Sequence, residues 1–314
     1  MMRFILSRIA MGLPTLFLAA AAVFFLMRLI PGDPAALMLG DMATPTALAS
    51  LRSELGLDKP IFVQFFLWLQ QIATGDFGTS ITNGQPVLPQ ILDRFAISGM
   101  IVVVSVTLAA LIAVPAGMIA AWYQDSALDF SLIAVATLLL SIPTFWLGLL
   151  LLLFFGLKLG WLPVIGFVML NDDFKAGLLY LALPVMTLVM HEIGVLIRMA
   201  RSSMLEVQRL DYIMHARAKG LSEPVVLWRH AFRNAFAPTW TLIGLILGNL
   251  LGGIAVVETV FTIPGLGRLL VDSIFARDYP VVQGCLLFIA ATYVVVNLIV
   301  DLCYPIFDPR VTLD

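Results

Sequence analysis

Few side chains in this sequence stand in a pattern that could carry out chemistry. His191 and Glu192 are adjacent in an apolar stretch, and a zinc peptidase would need H-E-x-x-H, with two histidines one helical turn apart. Here Glu192 is followed by Ile193, Gly194 and Val195, so the second histidine is missing. The phosphate-binding pattern G-x-x-x-x-G-K-[ST] does not occur either. We therefore expect no catalytic residue, no metal site and no cofactor bound by this chain.

The overall composition argues against most soluble classes of protein. Of the 314 residues, 61% are hydrophobic and only 12% are charged, whereas an average soluble domain has about 45–50% apolar and about 25% charged residues. The 18 basic and 20 acidic side chains give a net charge of −2, so no general basic face for nucleic acid is expected. The composition indicates an integral membrane protein rather than a soluble enzyme, a disordered chain or a nucleic-acid binder.

Long apolar stretches provide the elements that would position any polar site. A membrane-spanning helix needs about 20 mostly apolar residues, while strands of a membrane barrel are about 10 residues long and alternate in polarity. The stretches in this sequence are too long for such strands, so we predict an all-α polytopic membrane protein. Its six predicted spans lie near 9–30, 97–122, 130–157, 178–199, 239–262 and 281–307.

The positions of lysine and arginine predict the orientation in the membrane, because these residues collect on the cytoplasmic side. Seven of the 18 basic residues lie between spans four and five, and two more flank the start of span one. With six spans these regions fall on one side, so both termini are expected in the cytoplasm. The residues concerned are Arg3, Arg8, Arg198, Arg201, Arg209, Arg217, Lys219, Arg229 and Arg233.

The segment 31–96 is then expected on the outer side of the membrane. It holds more acidic than basic residues and contains two short amphipathic helical patterns, Leu51–Leu55 and Ile61–Gln71. It would either contact an outside partner or cap the ends of the spans.

The chain divides into two units on this account. Residues 1–95 comprise the first transmembrane helix and the long outer segment. Residues 96–314 form a five-helix transmembrane domain that includes the cytoplasmic loop 200–237.

The loop 200–237 is longer than a simple connection requires. Met204–Lys219 is rich in helix-forming residues, and Gly220 suits the position just after a helix end. Ser222 suits the N-cap of a second helix. Composition alone leaves two interpretations open: an interfacial helix on lipid headgroups, or a docking element for a cytoplasmic partner.

Short motifs follow one another in order along the whole chain. They are Pro31-Gly32-Asp33-Pro34, Leu55-Gly56-Leu57-Asp58-Lys59-Pro60, Gly75-Asp76-Phe77-Gly78-Thr79-Ser80, Arg201-Ser202-Ser203-Met204-Leu205-Glu206-Val207, Asp211-Tyr212-Ile213-x-x-Ala216-Arg217-Ala218-Lys219-Gly220, His230, Arg233-Asn234-Ala235, Pro238, Glu258-Thr259-Val260-Phe261, Pro264-Gly265-Leu266-Gly267, Arg277-Asp278-Tyr279-Pro280-Val281-Val282-Gln283, Asn297-Leu298, Asp301-Leu302 and Asp308-Pro309-Arg310. This ordered set resembles the B-type permease subunits of the oligopeptide, dipeptide, nickel and glutathione ABC importer family, and the loop resembles their EAA motif.

The resemblance implies a type I ABC importer permease fold in the bacterial inner (plasma) membrane. It implies a non-catalytic subunit that forms half of a translocation path for di- or oligopeptides by alternating access. The implied partners are a second, C-type permease, two cytoplasmic ABC ATPases that bind ATP and Mg, an extracytoplasmic substrate-binding protein and membrane lipid, with no nucleic acid. The implied coupling helix would contact an ATPase through Asp211, Tyr212, Ala216, Arg217, Ala218, Lys219 and Gly220.

Ionisable groups within the membrane are candidates for the translocation path. Glu192 lies six residues, about 9 Å along a helix, from Arg198. Together with His191 it could contact the amino group of a peptide, bind a cation or pair with a neighbouring helix. Glu258, near the outer end of span five, either contacts the solute, reaches the interface or pairs with a basic group such as Arg268.

Glycines in span five are further candidates. Gly244, Gly248 and Gly252 repeat every four residues, so they share one helix face and allow another helix to approach closely. The resemblance implies that Gly248 and Gly252 line the path, and packing between the two permeases is the alternative.

Other functions remain as alternatives at this stage. A nickel or glutathione importer would carry the same motifs. A self-contained secondary transporter usually shows internal inverted repeats, which are not evident here, and it would leave the loop 200–237 unexplained. A membrane-embedded enzyme would need a catalytic cluster, which the His191-Glu192 pair does not complete.

Overall fold

A computed structural model describes residues 2–29, 34–39, 44–54 and 56–307. The described part is almost entirely helical, and its β pairing is limited to one isolated bridge between Thr79 and Pro86. The predicted turn at residues 31–33, Leu55 and the motif at residues 308–310 lie outside the described residues. The helices are numbered α1 to α14 in chain order.

The first four helices cover the first span and most of the outer segment. Helix α1 comprises Met2–Leu29, α2 Pro34–Leu39, α3 Pro45–Glu54 and α4 Ile61–Ala73. The two amphipathic patterns predicted in the outer segment thus form parts of α3 and α4, which confirms them as helices.

Helix α4 packs on α1 through aromatic rings. The Phe24 and Phe25 rings of α1 lie 5.4 and 5.6 Å from the ring of Phe65, which is buried in α4. Rings at these distances contribute about 0.5–1.5 kcal/mol per pair beyond their burial. This contact holds the outer segment against the first span.

The next helices form the centre of the molecule. Helix α5 comprises Val87–Trp122, α6 Ala127–Ser141 and α7 Thr144–Leu151, which continues as a π-helical segment, Leu152–Lys158. Helix α8 comprises Phe174–Gln208 and packs on α5, α6, α7 and α11.

The remaining helices follow the basic loop. They are α9 (Asp211–Ala218), α10 (Glu223–Val225, continuing as the π-helical segment Val226–Ala231), α11 (Phe232–Gly253), α12 (Ala255–Val260), α13 (Leu266–Phe275) and α14 (Tyr279–Phe307). The helix predicted over Met204–Lys219 is therefore divided, because α8 ends at Gln208 and α9 begins at Asp211.

The third predicted span is broken rather than continuous. Among the described residues, five helices are long and apolar enough to cross a membrane, and a sixth crossing needs α6 and the α7 segment together, bent by 98°. The break lies at Ile142, which is extended, and Pro143, which directly precedes the first residue of α7. Proline has no N–H group to donate and disfavours helical geometry at the residue before it. Hydropathy detects the apolar length but not this bend.

The contact between α5 and α8 depends on one small residue. A Cβ atom at Gly117 would lie 2.6 Å from the carbonyl oxygen of Ile197 and 2.8 Å from the Cβ of Ala200. Both distances are too short for real carbon contacts, so the two backbones approach as closely as they do because residue 117 has no side chain. Close backbone approach at small residues is a common basis of helix association in membranes.

An ion pair joins α8 to α6. Arg201 of α8 donates two hydrogen bonds of 2.6 Å to the two carboxylate oxygens of Asp129, which is only 4% exposed at the start of α6. Such bidentate pairs combine strong hydrogen bonds with a fixed geometry. The pair places the 124–129 turn at the same end of the molecule as the basic loop.

The glycine stripe of α11 packs within this chain. A Cβ at Gly244 would collide with the side chain of Val300, and one at Gly248 would collide with the ring of Tyr293. Both neighbours belong to α14. The expectation that this stripe packs between two subunits is therefore wrong for Gly244 and Gly248, because α14 already occupies that face.

We predict that Gly117→Ala destabilises the protein by about 1–3 kcal/mol, because the added methyl group must displace the backbone of α8. The matched control is Gly253→Ala, since a Cβ there meets nothing within 4 Å. Melting temperatures of the detergent-purified variants measure the difference. Equal melting temperatures would contradict the close contact between α5 and α8.

Candidate functional site

One face of α8 carries polar groups from the middle of the helix toward its C-terminal end. His191, Val195, Arg198 and Ser202 follow one another at intervals of four, three and four residues, so they lie on the same helix face. His191 and Val195 are half-buried, whereas Arg198 and Ser202 are exposed. Arginine, serine and histidine on a spanning helix are expected to face a polar path or a protein partner rather than lipid.

His191 and Glu192 have unsatisfied polar atoms within the described residues. Nδ1 of His191 is buried without a hydrogen bond. Glu192 is only 5% exposed, and across the described ranges no hydrogen bond or ion pair satisfies its carboxylate. Buried polar groups in proteins are almost always hydrogen-bonded. These two adjacent groups therefore have unused capacity for a ligand or a neighbouring subunit.

Glu258 is placed differently from its sequence prediction. It is fully buried, and its Oε1 accepts a 2.5 Å hydrogen bond from the Ser98 hydroxyl. Its Oε2 accepts one of 2.8 Å from the backbone N–H of Arg268, and the N–H of Leu266 donates to Ser98 Oγ at 2.8 Å. We call Ser98, Glu258 and these two N–H groups the outer clamp. It joins α5, α12 and the first turn of α13.

The outer clamp corrects the role expected for Glu258. Its carboxylate neither reaches the interface nor pairs with the guanidinium of Arg268, which lies 3.6 Å from Asp272 instead. A Cβ at Gly265 would collide with the carboxylate, so the adjoining chain seals it in. Because Glu258 is enclosed and hydrogen-bonded, it is not available to a solute on the path.

A second carboxylate holds the outer segment. Asp278, only 2% exposed before α14, accepts hydrogen bonds from the Ser80 hydroxyl at 2.5 Å and from the N–H groups of Ile81 and Thr82 at 3.1 and 3.2 Å. These contacts bring the motif that ends at Ser80 together with the motif that contains Asp278, at one end of the bundle.

At the other end, Asp301 of α14 forms an ion pair. Its carboxylate lies 3.1 Å from the guanidinium of Arg8, which joins α14 to α1.

Helix α9 lies at the end of the bundle opposite to the outer clamp. Ile213 and Ala216 are buried in a cluster with Met118 of α5 and Met204 of α8. Ala216, which was predicted to contact a partner, is therefore buried within this chain instead. Ile213 and Ala216 both face inward because they occur three residues apart on one helix face.

The opposite side of α9 is exposed and ends in a tight turn. Gly220 has φ +76°, its N–H donates to the Arg217 carbonyl at 2.9 Å, and the N–H of Leu221 donates to the Ala216 carbonyl at 3.4 Å. This is a Schellman helix end, which favours glycine at that position, and it confirms the predicted helix stop. The predicted coupling residues on the exposed side are Asp211, Arg217, Ala218, Lys219 and Gly220.

Two of the predicted coupling residues are engaged within the chain. The Arg217 guanidinium lies 3.2 Å from the carboxylate of Glu223 and 5.3 Å from the ring centroid of Trp122. The Tyr212 hydroxyl accepts a hydrogen bond of 2.7 Å from the side chain of Asn234. The loop is thus a braced unit with its own contacts.

Gly248 and Gly252 border a cavity of about 360 Å³ between α1, α11 and α14. Thr15 and Asn249 supply polar groups to its wall, and the Tyr293 ring forms one side. The two glycines therefore combine helix packing with access to an open space.

Sequence reasoning missed several residues that organise the site. The contacts of Ser98, Asp129 and Asp278 could not be read from local spacing, because their partners are 160, 72 and 198 residues away. Asn234 and Asp278 occurred within recognised motifs, which was the one available signal.

A loop held by its own contacts at one end of the bundle and a polar face on a central apolar helix are features that a transport permease would have. Comparison with known proteins gives the same class. Residues 113–313 match the family described as binding-protein-dependent transport system inner membrane component, and residues 1–102 match its N-terminal counterpart.

Individual relatives agree along the whole length. A Brucella suis protein named as a peptide transport system permease is 43% identical over 310 residues, covering 99% of each chain. A glutathione transport system permease of Salmonella paratyphi A is 40% identical over 311 residues, again covering 99% of each. A dipeptide transport system permease of Alkalihalophilus pseudofirmus is 37% identical over 331 aligned positions, with 99% of both chains covered.

The chain belongs to the family of binding-protein-dependent inner-membrane transport components. It is a multi-pass, non-catalytic permease of an ABC importer with the type I importer fold, as its motifs predicted.

We predict that Glu258→Ala destabilises the permease by about 3–5 kcal/mol, because the Ser98 hydroxyl and the Arg268 N–H lose a buried acceptor. The matched control is Asp272→Ala, whose carboxylate is 67% exposed in a surface ion pair and should contribute at most about 1 kcal/mol. Melting temperatures in detergent distinguish the two variants, and a similar small shift for both would refute the outer clamp.

Proposed function

We propose that this permease imports di- or oligopeptides as one half of a two-permease path. The observation that carries this proposal is full-length similarity, at 37–43% identity, to permeases named for peptide and dipeptide transport. The similar identity to a permease named for glutathione makes glutathione, itself a peptide, the second candidate. Uptake of a labelled dipeptide by cells that express the complete transporter, with competition by unlabelled glutathione or Ni²⁺, tests the substrate. Dipeptide uptake that requires this chain supports the proposal.

The proposed assembly contains four further kinds of component. They are a C-type permease, two cytoplasmic ABC ATPases that bind ATP and Mg, an extracytoplasmic substrate-binding protein and surrounding lipid. The basic residues around α9 support a cytoplasmic position for that end of the bundle and therefore for both termini.

We propose that α9 is the coupling helix and that it docks in a groove of an ATPase. Ile213 and Ala216 anchor the buried side of α9 against α5 and α8. A force applied to the exposed side of α9 is therefore transmitted to these two helices. Its outward side offers charged groups at Asp211 and Lys219 and small residues at Ala218 and Gly220, over which another backbone could pass closely.

This anchoring suits a rigid-body mechanism. ATP binding would close the two ATPases and move their docked helices together, and the helices would rock each permease between inward-facing and outward-facing forms. The Asp129–Arg201 pair and the Gly117 contact join α5, α6 and α8. These three helices would therefore move as one body.

We expect Gly220→Asp to reduce ATP-driven uptake at least about tenfold while leaving membrane insertion intact, because a side chain at this left-handed turn strains it and obstructs docking. Gly160→Asp is the matched control. Gly160 also has a positive φ, of 64°, and no neighbour near its added Cβ, but it lies at the opposite end of the bundle. Loss of uptake in both variants, or in neither, would contradict the docking role of α9.

We also propose that His191, Glu192, Gly248 and Gly252 contribute to the translocation path. For the first two, the support is their unused hydrogen-bonding capacity beside the polar face of α8. For the glycines, it is the cavity that they border. A carboxylate and an imidazole next to the path would attract the protonated amino group of a passing peptide.

The double variant His191→Ala, Glu192→Gln is expected to lower uptake of a peptide with a free amino group about tenfold, as loss of one charge-assisted contact implies. Uptake of the N-acetylated peptide, measured for the same complex, should change little. An unchanged ratio between the two peptides would remove these residues from the path.

A further inference from the structure

A cavity of about 610 Å³ opens at the end of the bundle opposite to α9. Its walls come from the beginning of α5, from the loop 167–171 before α8 and from Pro264 before α13. Ligand sites in proteins commonly have volumes of about 300–1,000 Å³. In the proposed orientation this cavity faces the side from which an importer receives its solute.

The cavity combines two opposite charges with apolar walls. Asp93 and Arg94 are its charged residues, and Asn171 adds an amide. Ile97, Met100 and Phe167 contribute apolar surface. A few polar groups set in a mostly apolar wall are typical of sites that orient a small ligand.

Both charged groups of the cavity keep hydrogen-bonding capacity for a ligand. In the parts of the chain that the structure describes, no hydrogen bond or ion pair engages the Asp93 carboxylate. The Arg94 guanidinium donates one hydrogen bond, from Nη1 to the Pro264 carbonyl at 3.1 Å. A guanidinium has five N–H donors, so four remain for a ligand.

Neighbouring contacts fix the positions of Arg94 and of the loop 167–171. Ser98 lies one helical turn after Arg94 and belongs to the outer clamp. On the facing wall, Leu170 packs against Gly177 at the start of α8, where a Cβ would lie 2.9 Å from its side chain. Asp173 then caps α8 by accepting hydrogen bonds of 2.9 and 3.0 Å from the N–H groups of Lys175 and Ala176. A site held in this way loses little entropy when a ligand binds.

We propose that this cavity is an outer binding site for a zwitterionic solute, a short peptide with free amino and carboxyl ends. The guanidinium of Arg94 would bind the carboxylate, where its planar donors suit two parallel hydrogen bonds. The carboxylate of Asp93 would bind the ammonium group, and the apolar wall would cover a side chain. This inference rests on the proposed peptide substrate and adds a residue-level site at the outer mouth of the path.

The test is protection of a cysteine within the cavity in the complete reconstituted transporter. Met169 lines the cavity and is 44% exposed, so Met169→Cys should react with maleimide from outside. Ile165→Cys, two residues before the loop 167–171 and outside the cavity lining, is the control position. Labelling of this chain is read by mass spectrometry, with alanyl-phenylalanine at roughly 10 mM as the probe, a concentration that detects affinities down to the millimolar range.

We expect the dipeptide to slow labelling at position 169 at least about threefold and to leave position 165 unchanged, as partial occupancy of a weak site implies. Alanyl-phenylalanine amide, which lacks the carboxylate, should protect much less. Arg94→Gln should abolish protection. Lys175→Gln, which removes an exposed cation outside the cavity, should preserve it.

Uptake of the same dipeptide by the same complex separates this inference from the proposed function. Uptake without protection at position 169, or equal protection by the amide, would overturn the outer site and leave peptide import standing. Protection without uptake would support the site and count against peptide import. Failure of both would overturn both.

Discussion

Each charged group that this fold removes from water must find a partner, because neither lipid nor an apolar core provides one. Two buried carboxylates satisfy that requirement at opposite ends of the bundle. Asp129 receives two hydrogen bonds from Arg201 at one end. Glu258 receives hydrogen bonds from Ser98 and from the backbone of α13 at the other. Between these two points, α5 and α8 run in contact over Gly117, and the other helices take their places around that pair.

The groups that do not meet this requirement mark the places where function is proposed. His191 and Glu192 lie within the membrane without partners, and Asp93 lies in an open cavity without one, as far as the described chain extends. The missing partner costs stability at the buried Glu192 carboxylate and at Nδ1 of His191, and a ligand or a neighbouring subunit would supply it. The carboxylate of Asp93 is exposed to water, so it can bind a ligand without having carried such a cost. The buried side of α9 already packs within the chain, so only its exposed side is available to a partner.

Five of the six predicted crossings and the helix stop at Gly220 could be predicted from sequence, because they depend on local features: the length of an apolar run and the conformational freedom of one glycine. Sequence could not tell that the helix breaks at Pro143, because proline is accommodated within other helices of this chain, such as α5 at Pro115 and α8 at Pro184. The roles of Asp129, Ser98 and Glu258 depend on contacts across 72 to 160 residues, which periodicity cannot reveal. The division of the chain at residue 95 stays a prediction, and it falls inside α5.

The central proposal is that α9 transmits force from an ATPase subunit to this bundle. A cysteine at Ala218, on the exposed side of α9, tests it directly in the membrane-embedded transporter. With a short bifunctional crosslinker, Ala218→Cys should form an adduct with the ATPase subunit, and its yield should change when ATP is bound. Gly160→Cys, at the other end of the bundle, should form none. ATP-driven uptake by a transporter in which position 218 never crosslinks to the ATPase would contradict the account.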